Sequence, residues 1–220
     1  MTTPGAVSAG SFADAFLAAL DLAPLPRPTI CVLDVGTGTA RIPIEICTRQ
    51  SGIDIIGVDR RPGILQRARR DIHRARIRNV VCVHRADACA LPYADLAFDA
   101  VISNSLLHHL PRRLDTLREM VRVLRPGGVL LVRDSLRQPD AETIARILSR
   151  SAAGTAERRQ RVPGDTHPVA LTLDEARELA KAAGLPPEWV RPTGSRHWLI
   201  NGRRPDLPGV LHAALPRPTL

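Results

Sequence analysis

Apolar residues along this chain fall into two alternating patterns. Nearly continuous apolar runs occupy 29–35 (TICVLDV), 53–59 (IDIIGVD), 79–85 (NVVCVHR), 98–103 (FDAVIS) and 128–134 (GVLLVRD). Between them, 40–50, 63–76 and 112–124 carry apolar residues at helical spacing. Strands that are apolar throughout, joined by amphipathic helices, predict a parallel sheet covered on both faces. Gly127-Gly128 marks the turn into the fifth strand. Ahead of this alternation, SFADAFLAALDL places Phe12, Phe16, Leu17 and Leu20 on one face of a short helix. Ser11 is its expected N-cap, and the prolines of APLPRP end it.

The rhythm breaks at 135–170, where AETIARILSRSAAGTAERRQR reads as helical and VPGDTHP as a loop. TLDEARELAKAAG is a well-signalled helix, with Thr172 as N-cap, Glu175 at the capping-box position and Gly184 at its end. EWVRPT and SRHWLING then read as two final strands, and a short turn at Thr193-Gly194 makes them an antiparallel hairpin. The chain is expected to divide into an N-terminal helical extension (1–28), a main domain (29–201) in which 135–170 covers the substrate, and a Pro-rich tail (202–220).

Composition narrows the function classes. The 220 residues suffice for one packed domain, and 44% hydrophobic with 24% charged residues excludes a disordered chain. A formal charge of +9, mostly arginine, admits acidic partners, but only 3% of residues are aromatic, which leaves few platforms for base stacking. A nucleic-acid partner is therefore the minor expectation. Cys31, Cys47, Cys82 and Cys89 form no C-x-x-C pair and lack zinc-finger spacing to histidine, so no metal site is expected. Free cysteines in apolar runs, and an N-terminus with no basic segment before an apolar core, point to a cytoplasmic protein. No run approaches about 18 apolar residues, so no membrane span is expected.

The chemistry concentrates in VLDVGTGTARIPIEI, residues 32–46. A phosphate-binding P-loop requires Lys followed by Ser or Thr after its second glycine, and neither follows here. A dinucleotide turn requires a third glycine at position 41, which is Arg41, and would set the Asp34 carboxylate beside two phosphates. A cationic ligand reverses that objection. Asp34 attracts it, Gly36 and Gly38 let the backbone pass close beneath it, and Pro43 fits the first turn of the next helix.

On these residues the chain resembles the class I S-adenosylmethionine-dependent methyltransferases, whose first motif is D-x-G-x-G-x-G. Asp34, Gly36 and Gly38 match it, and Ala40 replaces the last glycine. The resemblance covers about 29–201 and implies a Rossmann-like, doubly wound α/β fold, with a mostly parallel seven-stranded sheet and an antiparallel C-terminal hairpin strand. S-adenosylmethionine is the implied methyl donor. Asp59, 25 residues after Asp34 and followed by Arg60, is the acid closing strand 2 that holds both ribose hydroxyls in this family. After strand 3, ADACALPY resembles the family's adenine loop, which implies that Asp87 meets the adenine amino group and the Ala88 amide a ring nitrogen. Tyr93 is expected to pack beneath that loop, and Asp99 to be structural. Asn104 and Ser105, beyond strand 4, face the cleft near the methionine portion.

The acceptor side is less marked, because methyl transfer from a sulfonium is an in-line displacement that needs a base only when the nucleophile must lose a proton. His108 and His109 are the candidate bases, one directed to the cleft and the other into packing. Arg133 and Asp134 close strand 5, either lining the cleft or forming an internal ion pair. Trp198 is expected to pack, and His197 is a minor cleft candidate. The arginines of 135–170 read as a solvated face. The strand-4 end lacks the Asn/Asp-Pro-Pro-aromatic sequence of many amino-group methyltransferases and the Pro-Cys pair of cytosine-C5 enzymes, while quinone-type C-methyltransferases share the overall pattern. The reading is methyl transfer to a small-molecule acceptor, releasing S-adenosylhomocysteine. The alternatives are an RNA or protein methyltransferase and a non-catalytic cofactor-binding scaffold.

Overall fold

A computed structural model describes residues 9–21, 29–78, 80–137 and 170–205. Most of the expected substrate cover, and the tail from 206, lie outside the described residues. Strands β1 (Ile30–Val35), β2 (Ile53–Asp59), β3 (Val81–Arg85), β4 (Phe98–Asn104), β5 (Leu124–Ser135), β6 (Val190–Thr193) and β7 (His197–Arg203) form one sheet. Its order is β3-β2-β1-β4-β5-β7-β6. Neighbours among β1 to β5 run parallel, whereas β7 is antiparallel to both β5 and β6. The expected seven-stranded, mostly parallel sheet with its C-terminal hairpin is therefore observed. The chain moves outward from β1 to β3, then returns to place β4 on the other side of β1. That reversal leaves a crevice at the carboxyl ends of β1 and β4, where doubly wound sheets bind ligands.

Helices α1 (Ala9–Asp21), α2 (Arg41–Arg49), α3 (Pro62–Arg74), α4 (Arg113–Val123) and α5 (Leu173–Ala182) accompany the sheet. Successive strand residues point to opposite faces, and both faces are buried. Val32, Ile55, Val83, Ala100 and Leu131 join a core with Phe12 and Phe16 of α1, Ile46 of α2 and Leu65 of α3. Leu33, Ile56, Val101 and Leu130 join the opposite core with Leu117 and Met120 of α4 and Ala176 and Ala180 of α5. This two-sided burial explains why the strands are apolar throughout rather than alternating.

Three sequence expectations change. Helix α1 starts at Ala9, so Ser11 lies inside its first turn rather than capping it. It is built into the domain rather than appended: Phe12 and Phe16 are fully buried, each stabilising the fold by about 1.5–3 kcal/mol, and Arg203 Nη2 donates to the Ala19 carbonyl at 3.0 Å. Strand β5 begins at Leu124, directly after α4, and Gly127-Gly128 falls within it. Phe98 pairs with Leu124 but Ala100 pairs with Val129, so extra residues are absorbed as an irregularity at the glycines. Gly127 has φ of 71°, and a Cβ on Gly128 would lie 2.8 Å from the Asp99 carbonyl. Finally, β7 runs to Arg203, past the expected start of the tail at 202.

Other local expectations are met. Thr172 and Glu175 form the capping box, with the Glu175 amide donating to Thr172 Oγ1 at 3.2 Å and the Thr172 amide donating to Glu175 Oε2 at 2.9 Å. Asp99 is structural: it accepts from buried Arg125 at 2.6 Å and from the Cys31 amide at 2.8 Å, tying β4 to β1. Tyr93 packs edge-on against Phe98, with ring centroids 5.0 Å apart. Trp198 is buried in the core. No described helix is long and apolar enough to cross a membrane.

The C-terminal hairpin depends on one glycine. The Trp189 indole lies over β7, and a Cβ at Gly202 would sit 2.0 Å from its Cδ2. Gly202→Ala is expected to destabilise the fold by about 1–3 kcal/mol, the usual cost of overpacking. A urea-unfolding midpoint equal to wild type would show that the indole moves aside freely.

Candidate active site

Strand β1 delivers Asp34 into the middle of the sheet, opposite Gly57 on β2 and Ile102 on β4. The carboxylate is 2% exposed, and its Oδ2 has no hydrogen-bond partner among the described residues. Burial pushes Asp34 from the usual 3.8 up to about 7, and the nearby Asp59 charge adds to the rise. The Thr37 hydroxyl offsets part of it by proximity, although its own Oγ1 meets no hydrogen-bond geometry in this structure. A buried carboxylate oxygen without a partner is costly.

The turn beyond Asp34 is shaped by backbone geometry. Gly36 has φ of 80°, and a Cβ there would lie 2.9 Å from the Leu106 side chain, so the turn sits hard against the segment after β4. Gly38 has φ of 56° with open space where a Cβ would stand. Ala40 also adopts a left-handed conformation, with φ of 60°, at the position where the resembled motif has glycine. Such a conformation costs a residue with a Cβ about 1–2 kcal/mol, which the surrounding turn sustains. Amides of Gly36 and Thr37 both donate to the Val58 carbonyl, at 2.8 and 3.0 Å, and lock the turn to the end of β2.

Asp59 closes β2 and is 7% exposed. Its Oδ1 accepts from the Arg61 amide at 2.9 Å and from Arg61 Nε at 3.2 Å, while Oδ2 accepts from Arg61 Nη2 at 3.4 Å. The Arg61 side chain that pairs with Asp59 is itself 63% exposed. Arg60 is exposed, and its carbonyl accepts from Arg85 Nε at 3.2 Å. The Ala86 amide donates to the Asp59 carbonyl at 3.3 Å, which brings Asp87 and Ala88 alongside Asp59. Asp87 is exposed and shapes its own loop, its Oδ1 accepting from the Cys89 amide at 2.9 Å.

At the end of β4, Ser103 Oγ donates to the Val35 carbonyl at 2.8 Å, fastening this strand to the glycine turn. Asn104 Oδ1 accepts from Arg133 Nε at 2.8 Å, and the Ser105 amide donates to the Arg133 carbonyl at 2.8 Å. Ser105 turns the chain with φ of 57°. The short 3-10 turn Leu107–His109 follows and separates the two histidines. His108 is buried, with Nδ1 hydrogen-bonded to Asp134 Oδ1 and its amide donating to Asp134 Oδ2 at 3.3 Å. His109 is exposed, its ring 3.9 Å from that of His108. Of the two expectations for Arg133 and Asp134, cleft lining or an ion pair, the pair is not formed: the two take separate partners, because adjacent strand residues point to opposite faces. Asp134 meets His108, whereas Arg133 meets Asn104 and lies 4.9 Å over the Phe12 ring.

Comparisons with known proteins bear on the family and the fold. The family description "Methyltransferase domain" matches residues 33–132. A 27-O-demethylrifamycin SV methyltransferase of Amycolatopsis mediterranei is 32% identical over 71% of this chain and 54% of its own length. A demethylmenaquinone methyltransferase of Thermus thermophilus is 38% identical over 52% of this chain and 50% of its own. The chain belongs to the class I S-adenosylmethionine-dependent methyltransferases. It spans about half the length of these curated relatives. Its fold matches that of a SAM-dependent methyltransferase from Aquifex aeolicus, with a TM-score of 0.60 over 86% of this chain and 87% of the other at 16% identity.

The methyl donor of this methyltransferase domain is S-adenosylmethionine, and the residues present fit it. A buried carboxylate with one oxygen unpartnered among the described residues matches a cationic ligand, and the side-chain-free turn at Gly38 leaves space beside it. Three contributors were not among the residues expected from the sequence pattern. Thr37 stands beside Asp34, Arg61 covers Asp59, and Gly57 accommodates the turn, since a Cβ there would lie 2.6 Å from Thr37 Oγ1. Gly57 had a legible signal, a glycine inside an apolar strand, which marks close backbone approach. The other two are contacts that local pattern does not report, and the pairing of Asp134 with His108 is a third such contact.

Proposed function

We propose that this protein transfers the methyl group of S-adenosylmethionine to a small-molecule acceptor whose nucleophile must lose a proton, a hydroxyl or acidic carbon. The observation that carries the cofactor half is Asp34, buried at the edge of the crevice with one oxygen that has no hydrogen-bond partner among the described residues. In this reading Asp34 meets the ammonium end of the ligand, and Gly36 and Gly38 keep the turn clear beneath it. Asp59 takes the ribose hydroxyls, which requires the exposed Arg61 guanidinium to swing aside while the Arg61 amide stays in place. Arg60 borders this position through its backbone. Asp87 and the Ala88 amide border the adenine, and Asn104 and Ser105 the methionine portion.

S-adenosylmethionine supplies an electrophilic methyl group on a sulfonium. The chain's residues supply position, exclusion of water and a proton acceptor. His108 is the base of this reading. The Asp134 contact holds a proton on Nδ1, which leaves Nε2 as the acceptor nitrogen. Asp134, accepting also from the Ser135 amide at 2.6 Å, acts through His108 as a positioning residue. His109, exposed and with its ring tilted against that of His108, is the less favoured base. The small-molecule assignment draws support from the relatives, whose names specify a rifamycin and a menaquinone precursor.

Calorimetry with S-adenosylmethionine tests the cofactor half. Wild type is expected to bind one equivalent, and Asp59→Ala to bind about tenfold or more weakly, the loss of a charge-assisted hydrogen-bond pair. No binding by intact, folded wild type would overturn the reading. A screen of hydroxyl-bearing and carbon-acid acceptors, followed by S-adenosylhomocysteine release, tests the acceptor half.

A further inference from the structure

A second feature lies to one side of the crevice. A groove of about 380 Å³ is lined by Thr39, Arg67, Arg70, Asp71 and Arg74. It touches the glycine turn only through Thr39 and includes none of Asp34, Gly36, Asp59, His108 or Asp134. Its volume falls within the range of about 300–1,000 Å³ usual for small-ligand pockets.

The wall of the groove is the outer face of α3. Leu65, Ala68 and Ile72 turn the opposite face into the core, which leaves Arg67, Arg70 and Arg74 exposed at helical spacing. Like charges three and four residues apart on a helix repel one another. The one carboxylate in the groove, Asp71, is engaged with Arg74 at 3.3 Å. The side chains of Arg67 and Arg70 have no hydrogen bond or ion pair among the described residues. Arg69 points elsewhere and donates to the Val83 carbonyl at 3.2 Å. The groove thus presents two uncompensated guanidinium groups, a third shared one and a half-buried threonine hydroxyl.

That chemistry selects the ligand. Guanidinium forks match the oxygens of a phosphoryl group and bind it through paired hydrogen bonds. The start of α2 next to Thr39 adds the positive end of a helix. No aromatic or large apolar side chain lines the groove, so neither a stacked base nor an apolar body is recognised. We infer that this groove is a binding site for the phosphoryl groups of a small polyphosphate-type anion, separate from the methyl-transfer centre.

Titration of the full chain with inorganic pyrophosphate at low salt tests this. One equivalent is expected to bind wild type. Arg67→Ala/Arg70→Ala is expected to lose at least tenfold in affinity, with Arg69→Ala within twofold of wild type. S-adenosylmethionine binding by the double variant is expected to stay within twofold as well, since these side chains are exposed and outside the crevice. Absence of pyrophosphate binding, or binding equally strong in the double variant, overturns the inference. Binding of single-stranded RNA that requires Arg67 and Arg70, without pyrophosphate binding, also overturns it by making the face a nucleic-acid surface.

Discussion

Replacing Asp134 with asparagine is expected to slow methyl transfer to a hydroxyl acceptor by about a hundredfold or more, the range that a positioned general base contributes. The carboxylate holds His108 through Nδ1, and its amide neighbour contact at 3.3 Å fixes the turn that carries the ring. Asparagine keeps the size but loses the charge that stabilises the imidazolium formed as the proton arrives. It can also offer its NH2 group to Nδ1, which reverses the tautomer and removes the acceptor at Nε2. S-adenosylmethionine affinity is expected to remain within a few-fold, because Asp134 lies outside the residues assigned to the cofactor. The informative readout is the acceptor. With an acceptor already ionised at the assay pH, the same substitution is expected to cost less than tenfold, since no proton has to be removed. Equal losses with both acceptors, or a loss that follows cofactor affinity or thermal stability, would assign Asp134 a structural role only.

Asp34→Asn is expected to weaken S-adenosylmethionine binding by roughly 10- to 150-fold, from the loss of about 1.5–3 kcal/mol in a hydrogen bond between charged groups. The unliganded protein is expected to respond in the opposite sense. The Asp34 carboxyl rises from 3.8 to about 7 on folding, so the folded chain keeps a proton that the unfolded chain releases. Between those two values the native state binds more protons, and its stability falls as pH increases. Below about 4 both states are protonated and Asp34 contributes no pH dependence; above about 7 its destabilisation is complete. Asparagine removes this dependence. Urea unfolding at pH 5 and pH 7.5 is therefore expected to show a smaller drop in stability for the variant than for wild type. The cofactor shows the counterpart: wild-type affinity is expected to improve from pH 5.5 to 7 as Asp34 ionises, and variant affinity to stay flat. A variant with the wild-type pH dependence in both measurements would contradict the assignment of Asp34 to a cationic ligand.

The strands were legible because each is buried on both sides. Ile53–Asp59 has its helices above and below, so its apolar run needs no partner to be recognised. Asp34 and Asp59 were legible for a related reason, as acids at the ends of apolar strands in a parallel sheet stand at its carboxyl edge. The Thr172–Glu175 cap was legible because its two partners are three residues apart. The irregularity at Gly127-Gly128 was not, since it arises from the register of β5 on β4, and two glycines in sequence equally describe a turn. Nor was which of His108 and His109 is the buried one. Both occur in the same short turn, and burial of one follows from Asp134, 26 residues away on the neighbouring strand.

Sequence pattern thus settles what depends on neighbours along the chain: the alternation of strands and helices, the conformation of the glycine turn, and the acids that end β1 and β2. Packing settles what depends on the order β3-β2-β1-β4-β5-β7-β6. That order sets Gly57 beneath Thr37, Leu106 against Gly36 and Asp134 against His108. The reason is that strand-to-strand contacts are made at right angles to the chain, between residues whose separation in sequence carries no periodic signal.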